Sequence, residues 1–471
     1  MSIKNTLKEI IIKSIELYNQ DITTNDIIIK HNHEGNYYLT NIALIIANRT
    51  NKTPYEIANI IKNKMDNNII IDRIIITDKN ILHIYLKQSY LTKYINTITN
   101  EKRNYGKNKL GINKQINITF SNHNINSNMN LETGRKAIYC DNLSRIMNFC
   151  GYNITKNCII DNEKEIEKSI INSLIDSLKK ELDTTRIYID NYENIETIAN
   201  DSIIEEFLLK VKYTKYCYIN DDSLYLKTTS FGDNNDRLLI KKDGSYTDIV
   251  YYLAYNYYKI KNDYNLLIYI TNNEKKANIL LSTIPILEEK NSLLEIINYN
   301  EINFKNNNYY YLSDVINEIG INSTRYYFCL YNIDIKMDFD PNIALNKSKE
   351  NPFYYIEHAN ILLSSILRKS RKKMTSVDKY NNLKEAIAYN IINKLALFED
   401  VVMEACKKRN PSLIAYYTYE LVDLFYKLDD KKSTIPEKEK YTNEELNLLN
   451  AIQIVLNNSL NLIGIIPREE M

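Results

Sequence analysis

Tryptophan is absent from these 471 residues, and 40 tyrosines carry most of the aromatic content. No apolar run approaches the roughly 20 residues of a membrane-spanning helix, which argues against a helical membrane protein. The opening MSIKNTLKEIIIKSIELY holds Glu9 and Glu16 inside its apolar stretch. It therefore reads as an amphipathic helix and not as a signal peptide. Cysteine is sparse and scattered, at positions 140, 150, 158, 217, 329 and 406, with no CxxC pair. Buried reduced thiols in a cytoplasmic protein are expected. Five histidines, none spaced with those cysteines as a metal site, argue against structural zinc. An excess of one charge is missing too. Sixty basic against 59 acidic residues leave a net charge of +1, so any nucleic-acid binding must rest on local patches.

What is present is an abundance of Ile, Asn, Lys and Tyr, a bias of A+T-rich codons that weakens arguments from clusters of those residues. Up to about residue 98, helix and strand patterns mix. Ile3, Leu7, Ile10, Ile11, Leu17 and Tyr18 form one helical face, with Ser14 as its polar gap. Thr53-Pro54-Tyr55-Glu56 has the layout of a helix start, with Thr as N-cap, Pro at N1 and Glu closing a capping box. From about 110 to 320, short apolar runs such as Leu238–Ile240 and Leu266–Ile270 alternate with helical patterns, which predicts an α/β core. Asp243-Gly244 marks a turn. From Asn351 onward the pattern is helical almost throughout, with Gly464 the one glycine, and an antiparallel helical bundle is expected. Ser433–Tyr441 reads as a charged loop.

Residues 115–151 stand out. Ile116, Ile118 and Phe120 alternate with polar residues and predict a half-buried strand. A polar loop, Asn122–Asn130, follows. Ala137, Ile138, Ile146 and Met147 then fall at helical spacing, and Gly151 sits where a left-handed C-cap belongs. Such a strand, loop and helix present main-chain N–H groups to a phosphate.

Met337-Asp338-Phe339-Asp340, then Ser348–Tyr355 (SKENPFYY), then Ser364–Arg368 (SSILR) resemble, in order, signature segments of arginyl-tRNA synthetases. So do Ser230–Tyr246, Val315–Tyr327, Leu460–Met471 and, with one extra residue, Gly35–Leu44. The resemblance runs along essentially the whole chain. It implies a Rossmann-type class I catalytic domain at 99–335, an α+β N-terminal tRNA-binding domain at 1–98 and an all-α anticodon-binding bundle at 336–471. It further implies ATP with magnesium, arginine and an arginine-type tRNA as ligands, and a monomer.

The chain departs from that family where its chemistry lies. Attack of a carboxylate on the α-phosphate of ATP loads negative charge onto a leaving pyrophosphate, and catalysis rests on positioning and on hydrogen-bonding or positive groups. The family's HIGH-type tetrapeptide aligns with Asn130-Leu131-Glu132-Thr133, so both histidines and the glycine are replaced. A carboxylate about 4 Å from a phosphate costs on the order of 4 kcal/mol at an effective dielectric near 20. The KMSK-type loop falls on Glu301-Ile302-Asn303-Phe304 without its lysines, and Lys305 reaches the site after a one-residue slip. The WGADHHG-type segment falls on Thr271–Ala277, placing Lys275 and Lys276 where histidines stand.

By the same alignment, Asn130, Thr133 and Lys305 occupy catalytic positions. Asn124, Arg135, Lys275 and Lys276 occupy ATP-binding positions, with Asn124 and Arg135 open to a purely geometric role in the strand–loop–helix. Asn124, Glu193 and Asp248 occupy arginine-binding positions. The family's guanidinium-binding Tyr and Asp fall on Asp248 and Tyr252, in exchanged order. Lys136 is a further phosphate candidate, while His123 reads as a loop residue. Tyr355, His358, Arg368, Lys369 and Arg371 occupy tRNA-facing positions, although helix packing explains Tyr355 and His358 equally well. The motif losses imply a tRNA-binding protein with lost or weakened arginine adenylation. The alternative is an active arginine–tRNA ligase with substituted lysines. A third reading is a structural partner of another protein, such as the true synthetase.

Overall fold

Residues 2–15, 22–32, 35–122, 129–160, 168–262, 264–271, 274–287, 294–305, 309–370, 374–383, 385–432, 434–435 and 440–470 are described by the computed structural model. At 122, 168–171, 274–276, 287 and 304 the main chain alone is described. Asn124, His123 and Arg371 lie outside the described residues, as do Leu17 and Tyr18.

Helix Ile3–Ile15 buries Ile3, Leu7, Ile11 and Ile15. Ser14, the polar gap on that face, is also buried and donates its hydroxyl to the Ile11 carbonyl at 2.6 Å. Helix Pro54–Met65 begins with the expected capping box, Thr53 and Glu56 each accepting from the other's main-chain N–H. Both helices belong with an antiparallel sheet ordered 30–32, 37–40, 82–86, 71–76.

The central sheet has five parallel strands in the order Leu294–Ile297, Leu266–Ile270, Gln115–Asn122, Asn153–Ile160, Asn191–Glu193. The chain builds outward from Gln115–Asn122 to one side, then returns to build on the other. That is the Rossmann order, with its switch point beside the first strand. Gln115–Asn122 is therefore not the half-buried strand its alternation predicts. As the middle strand it is covered on both faces, and Asn117 and Thr119 are 0% and 1% exposed. The sequence alternates because each face needs a different filling. Ile116, Ile118 and Phe120 join the larger core, while Thr119 donates to the Asn117 side chain at 2.7 Å on the other face.

Helix Leu131–Phe149 is likewise buried nearly all round, from Thr133 to Ser144. It closes in a Schellman motif: Gly151 has φ +88°, and the N–H groups of Gly151 and Tyr152 reach the carbonyls of Asn148 and Met147. A three-stranded antiparallel sheet, 217–220, 223–226 and 237–240, packs over the second core with helix Asp248–Lys261. The turn at Asp243-Gly244 precedes that helix, with Gly244 at φ +83°. From Pro352 the structure is helical: Pro352–Ser370, Ala386–Ala396, Phe398–Lys407, Ser412–Lys431 and Asn443–Leu462. Ile356, Ala359, Leu363, Leu421, Val422, Phe425 and Leu428 fill their shared core.

Arg325, on helix Ile321–Leu330, is fully buried where the Rossmann part meets the C-terminal helices. It donates to Asp141 Oδ2 at 2.5 Å, Asn142 Oδ1 at 2.9 Å, and the carbonyls of Thr185 and Ile463. Burial raises the Asp141 carboxyl, but Arg325, Arg145 and Lys156 outweigh it and hold its pKa below the usual value. The six cysteines are free thiols, five of them buried. No described helix is long and apolar enough to cross a membrane.

Candidate functional site

A pocket of about 250 Å³ opens at the C-terminal ends of Gln115–Asn122 and Leu266–Ile270, where the strand order reverses. Open α/β sheets bind ligands at such a point. Thr119, Phe120 and Ser121 line one wall, and Tyr269, Ile270 and Thr271 the next. Helix Asp248–Lys261 supplies the third, through Asp248, Tyr252, Tyr255 and Asn256. The three-to-four-residue spacing puts these on one helical face. Asp248, in the first turn, is exposed at the mouth and has no ion-pair partner among the described residues. The adjacent Arg237 is committed elsewhere, gripping Asp233 with two bonds of 2.5 Å.

Glu193 sits behind Tyr255. Its carboxylate accepts from the Tyr255 hydroxyl at 2.6 Å and the Lys259 ammonium at 2.5 Å. Burial lowers the Lys259 pKa, with Glu193 opposing. The structure thus brings Asp248 and Tyr252 to the pocket and leaves Glu193 engaged beneath it.

The other predicted positions gather at the start of helix Leu131–Phe149. Asn130 is its N-cap, accepting from Thr133 N at 2.8 Å, and Thr133 is 1% exposed. Leu131 N donates to the Tyr310 carbonyl at 3.3 Å, and Leu312 N to the Met129 carbonyl at 2.9 Å, so the segment around Tyr311 lies across this helix end. The Glu132 carboxylate accepts from the Tyr299 hydroxyl and lies 3.4 Å from Lys136 Nζ. Lys136 is fully buried, with its ammonium 4.7 Å from the centre of the Tyr299 ring. Glu132 and Lys136 are an i,i+4 pair that the sequence displays. Tyr299, far away in the chain, could not be associated with them from the sequence.

Arg135 turns the other way. Its guanidinium, 2% exposed, donates to the carbonyls of Asn300, Glu301, Asn332 and Ile335. Burial pushes its pKa down to about 10. It anchors the parallel strand pair Ile302–Phe304 and Met337–Phe339, at whose end Lys305 is exposed. Lys275 and Lys276 stand in the first turn of helix Glu274–Leu287, where side chains lie outside the described part.

On the helical part, Tyr355 is 8% exposed and stacks on Tyr426 at 4.4 Å. His358 Nδ1 lies 2.7 Å from the Tyr426 hydroxyl, and Tyr354 stacks on the His358 ring. Arg368 pairs with Glu470 on the surface, and Lys369 is exposed near it. The described site side chains therefore gather at the pocket, at the helix start with its adjoining strand pair, and on this aromatic and basic face.

The sequence matches the family models described as Arginyl tRNA synthetase N terminal domain, over residues 1–81, and DALR anticodon binding domain, over residues 357–471. It is 25% identical to an arginine–tRNA ligase of Bacillus velezensis and 26% identical to arginine–tRNA ligase 1 of Halalkalibacterium halodurans, each match covering 92% of both chains. The fold is similar to arginyl-tRNA synthetase structures from Thermus thermophilus (TM-score 0.78, 14% identity, 100% of both chains) and Plasmodium falciparum (TM-score 0.80, 16% identity, 100% of this chain and 99% of that one). With matches at both ends of the chain, a class I fold between them and coverage from end to end, the chain belongs to the arginyl-tRNA synthetase family.

Proposed function

We propose that this protein is an arginine–tRNA ligase, the reading that the full-length similarity to such ligases supports over a purely binding role. One observation carries it: the Asp248 carboxylate, without an ion-pair partner among the described residues, and Tyr252 share a helical face at a pocket on the sheet's switch point. A guanidinium suits that pocket, because a planar cation can bond the carboxylate while its aliphatic stem lies against tyrosine and isoleucine. The acid and the tyrosine have exchanged places over one helical turn, which keeps both chemistries on the same wall.

In this reading the arginine carboxylate attacks the α-phosphate of ATP and displaces pyrophosphate; the tRNA 3′ hydroxyl then attacks the acyl carbon and releases AMP. Magnesium accompanies the ATP phosphates. Among the described residues no three acidic, histidine or cysteine side chains converge to hold a metal, so no protein ligand is assigned to it. Lys136 answers the carboxylate that the sequence sets at the nucleotide end. Paired with Glu132 and covered by Tyr299, it offsets the repulsion that Glu132 alone would impose.

Residues 99–335 would carry this chemistry, and 1–98 and 336–471 would grip the tRNA. On the N-terminal sheet, Tyr37 stacks on His83 at 4.0 Å and Arg73 covers Tyr85 at 4.1 Å. Such a face suits unpaired bases.

A second reading, tRNA binding with weakened adenylation, is favoured by the start of helix Leu131–Phe149. There the Asn130 side chain and the Tyr310 carbonyl already take two of the N–H groups. Arginine-dependent ATP–pyrophosphate exchange and charging of arginine tRNA separate the two. Charging that requires arginine is expected; tight tRNA binding without exchange would establish the second reading instead.

A further inference from the structure

A cavity of about 220 Å³ lies away from the pocket, between helix Ile321–Leu330, the segment 344–354 and the C-terminal tail. The ten-residue helix Ile321–Leu330 opens onto it. Its N-cap is Gly320, at φ +79°, and carries no side-chain cap. The N–H groups of Ile321, Asn322 and Ser323 have no acceptor among the described residues. Ser323 lines the cavity, is 5% exposed, and its hydroxyl is buried with no hydrogen-bond partner among the described residues. A buried hydroxyl left unpaired is costly, and here it stands beside unpaired N–H groups at the positive end of a helix. Donors dominate that helix end, which is the chemistry of an anion site, and the Glu357 carboxylate is the acidic group of the lining.

The rim is cationic. Lys347 and Arg468 line the cavity, with Arg468 3.5 Å from Glu357, the carboxylate of the group. Arg186 reaches in from outside, donating to the Asn322 side chain at 2.8 Å, and its pKa is lowered by burial and by the charges of Arg468 and Arg145. An anion in the cavity would relieve that repulsion. We infer that this cavity binds a phosphate group through the N-terminus of helix Ile321–Leu330, the Ser323 hydroxyl, Lys347 and Arg468, and that the phosphate is one of the RNA backbone. The RNA source rests on the proposed tRNA function.

The test uses full-length protein with Ser323→Asp and, independently, Lys347→Glu. Aspartate at the third helical position is compatible with the helix and fills the anion site with its own charge. Both variants are expected to weaken tRNA binding about tenfold and to lower the salt dependence by about one counterion. Binding of arginine and of ATP, each measured by calorimetry without tRNA, should not change. Unchanged tRNA affinity in both variants overturns the RNA assignment. Inorganic phosphate supplies the second arm, read as protection against thermal unfolding. Protection of the native protein that is lost in Ser323→Asp supports the site even if tRNA binds nowhere on this chain. No protection, together with unchanged tRNA affinity, overturns the site itself. Protection by phosphate with unchanged tRNA affinity would identify free phosphate as the ligand and sink the RNA source.

Discussion

Asp248 and Glu193 are both carboxylates near one pocket, and their surroundings assign them different work. Glu193 is neutralised by Lys259 and bonded by Tyr255, whereas Asp248 faces the pocket mouth with no ion-pair partner among the described residues. Asp248→Asn is therefore expected to raise the KM for arginine by roughly 10- to 100-fold, the range of one charged hydrogen bond, with kcat for pyrophosphate exchange little changed. Glu193→Gln should instead lower stability and spare the arginine KM; steady-state exchange kinetics with thermal melts would distinguish them, and an unmoved KM in Asp248→Asn would remove Asp248 from the pocket's function. Glu132 gives a second residue-scale prediction. Glu132→Gly frees the Lys136 ammonium from its acid, so calorimetry should show tighter ATP binding alongside a lower melting temperature. Unchanged ATP affinity would mean that the nucleotide does not lie against this helix start. The sequence showed the Glu132–Lys136 spacing, but not the Tyr299 ring that closes the group.

On helix Leu131–Phe149 the architectural role of Asn130 is visible, and a chemical role is open to test. Asn130 caps the helix through Thr133 N, a bond worth about 0.5–2 kcal/mol. Asn130→Ala should lose that stability, and Asn130→Ser, another good N-cap, should restore it. If Asn130 acts only as a cap, pyrophosphate exchange will track stability through both variants. A loss of exchange in Asn130→Ser at restored stability would give the amide a direct part in the reaction. Element identity was legible where local chemistry decides it, as with the Thr53–Glu56 capping box and the Gly151 C-cap. The half-buried reading of Gln115–Asn122 failed because sheet position, and not alternation, determines whether a second face is covered.

Across the whole molecule, Arg325 joins the Rossmann helix to the C-terminal tail. A Cβ at Gly464, which has φ +69°, would lie 1.8 Å from Arg325 Nη2, so glycine is required by both backbone and space. Arg325→Met is expected to cost about 3–5 kcal/mol by leaving Asp141 buried without its main partner, read as a lower urea midpoint; Gly464→Ala should move it the same way. The pH dependence has a definite sign. Because the folded Asp141 pKa is depressed, its stabilisation is complete above the unfolded carboxyl value near 4 and is lost as pH falls through the folded value. The stability gap between native protein and Asp141→Asn should be widest at neutral pH and narrow below about pH 4. A gap independent of pH would show that the Asp141 pKa is not depressed in the fold.

By itself the sequence determined the class of each segment and the kinship of the whole, because cap residues, periodicity and ordered motifs are local signals. It also marked candidate catalytic positions, since a segment that lacks the histidines and glycine of its resembled motif can be read directly. Tertiary structure alone decided which charges are spent and which remain available. Arg135 is taken up by four carbonyls, Glu132 by Tyr299 and Lys136, and Glu193 by Lys259, while Asp248 has no ion-pair partner among the described residues. The reason is physical. A buried charge must find a partner, and these partners come from strands and helices that only folding brings together.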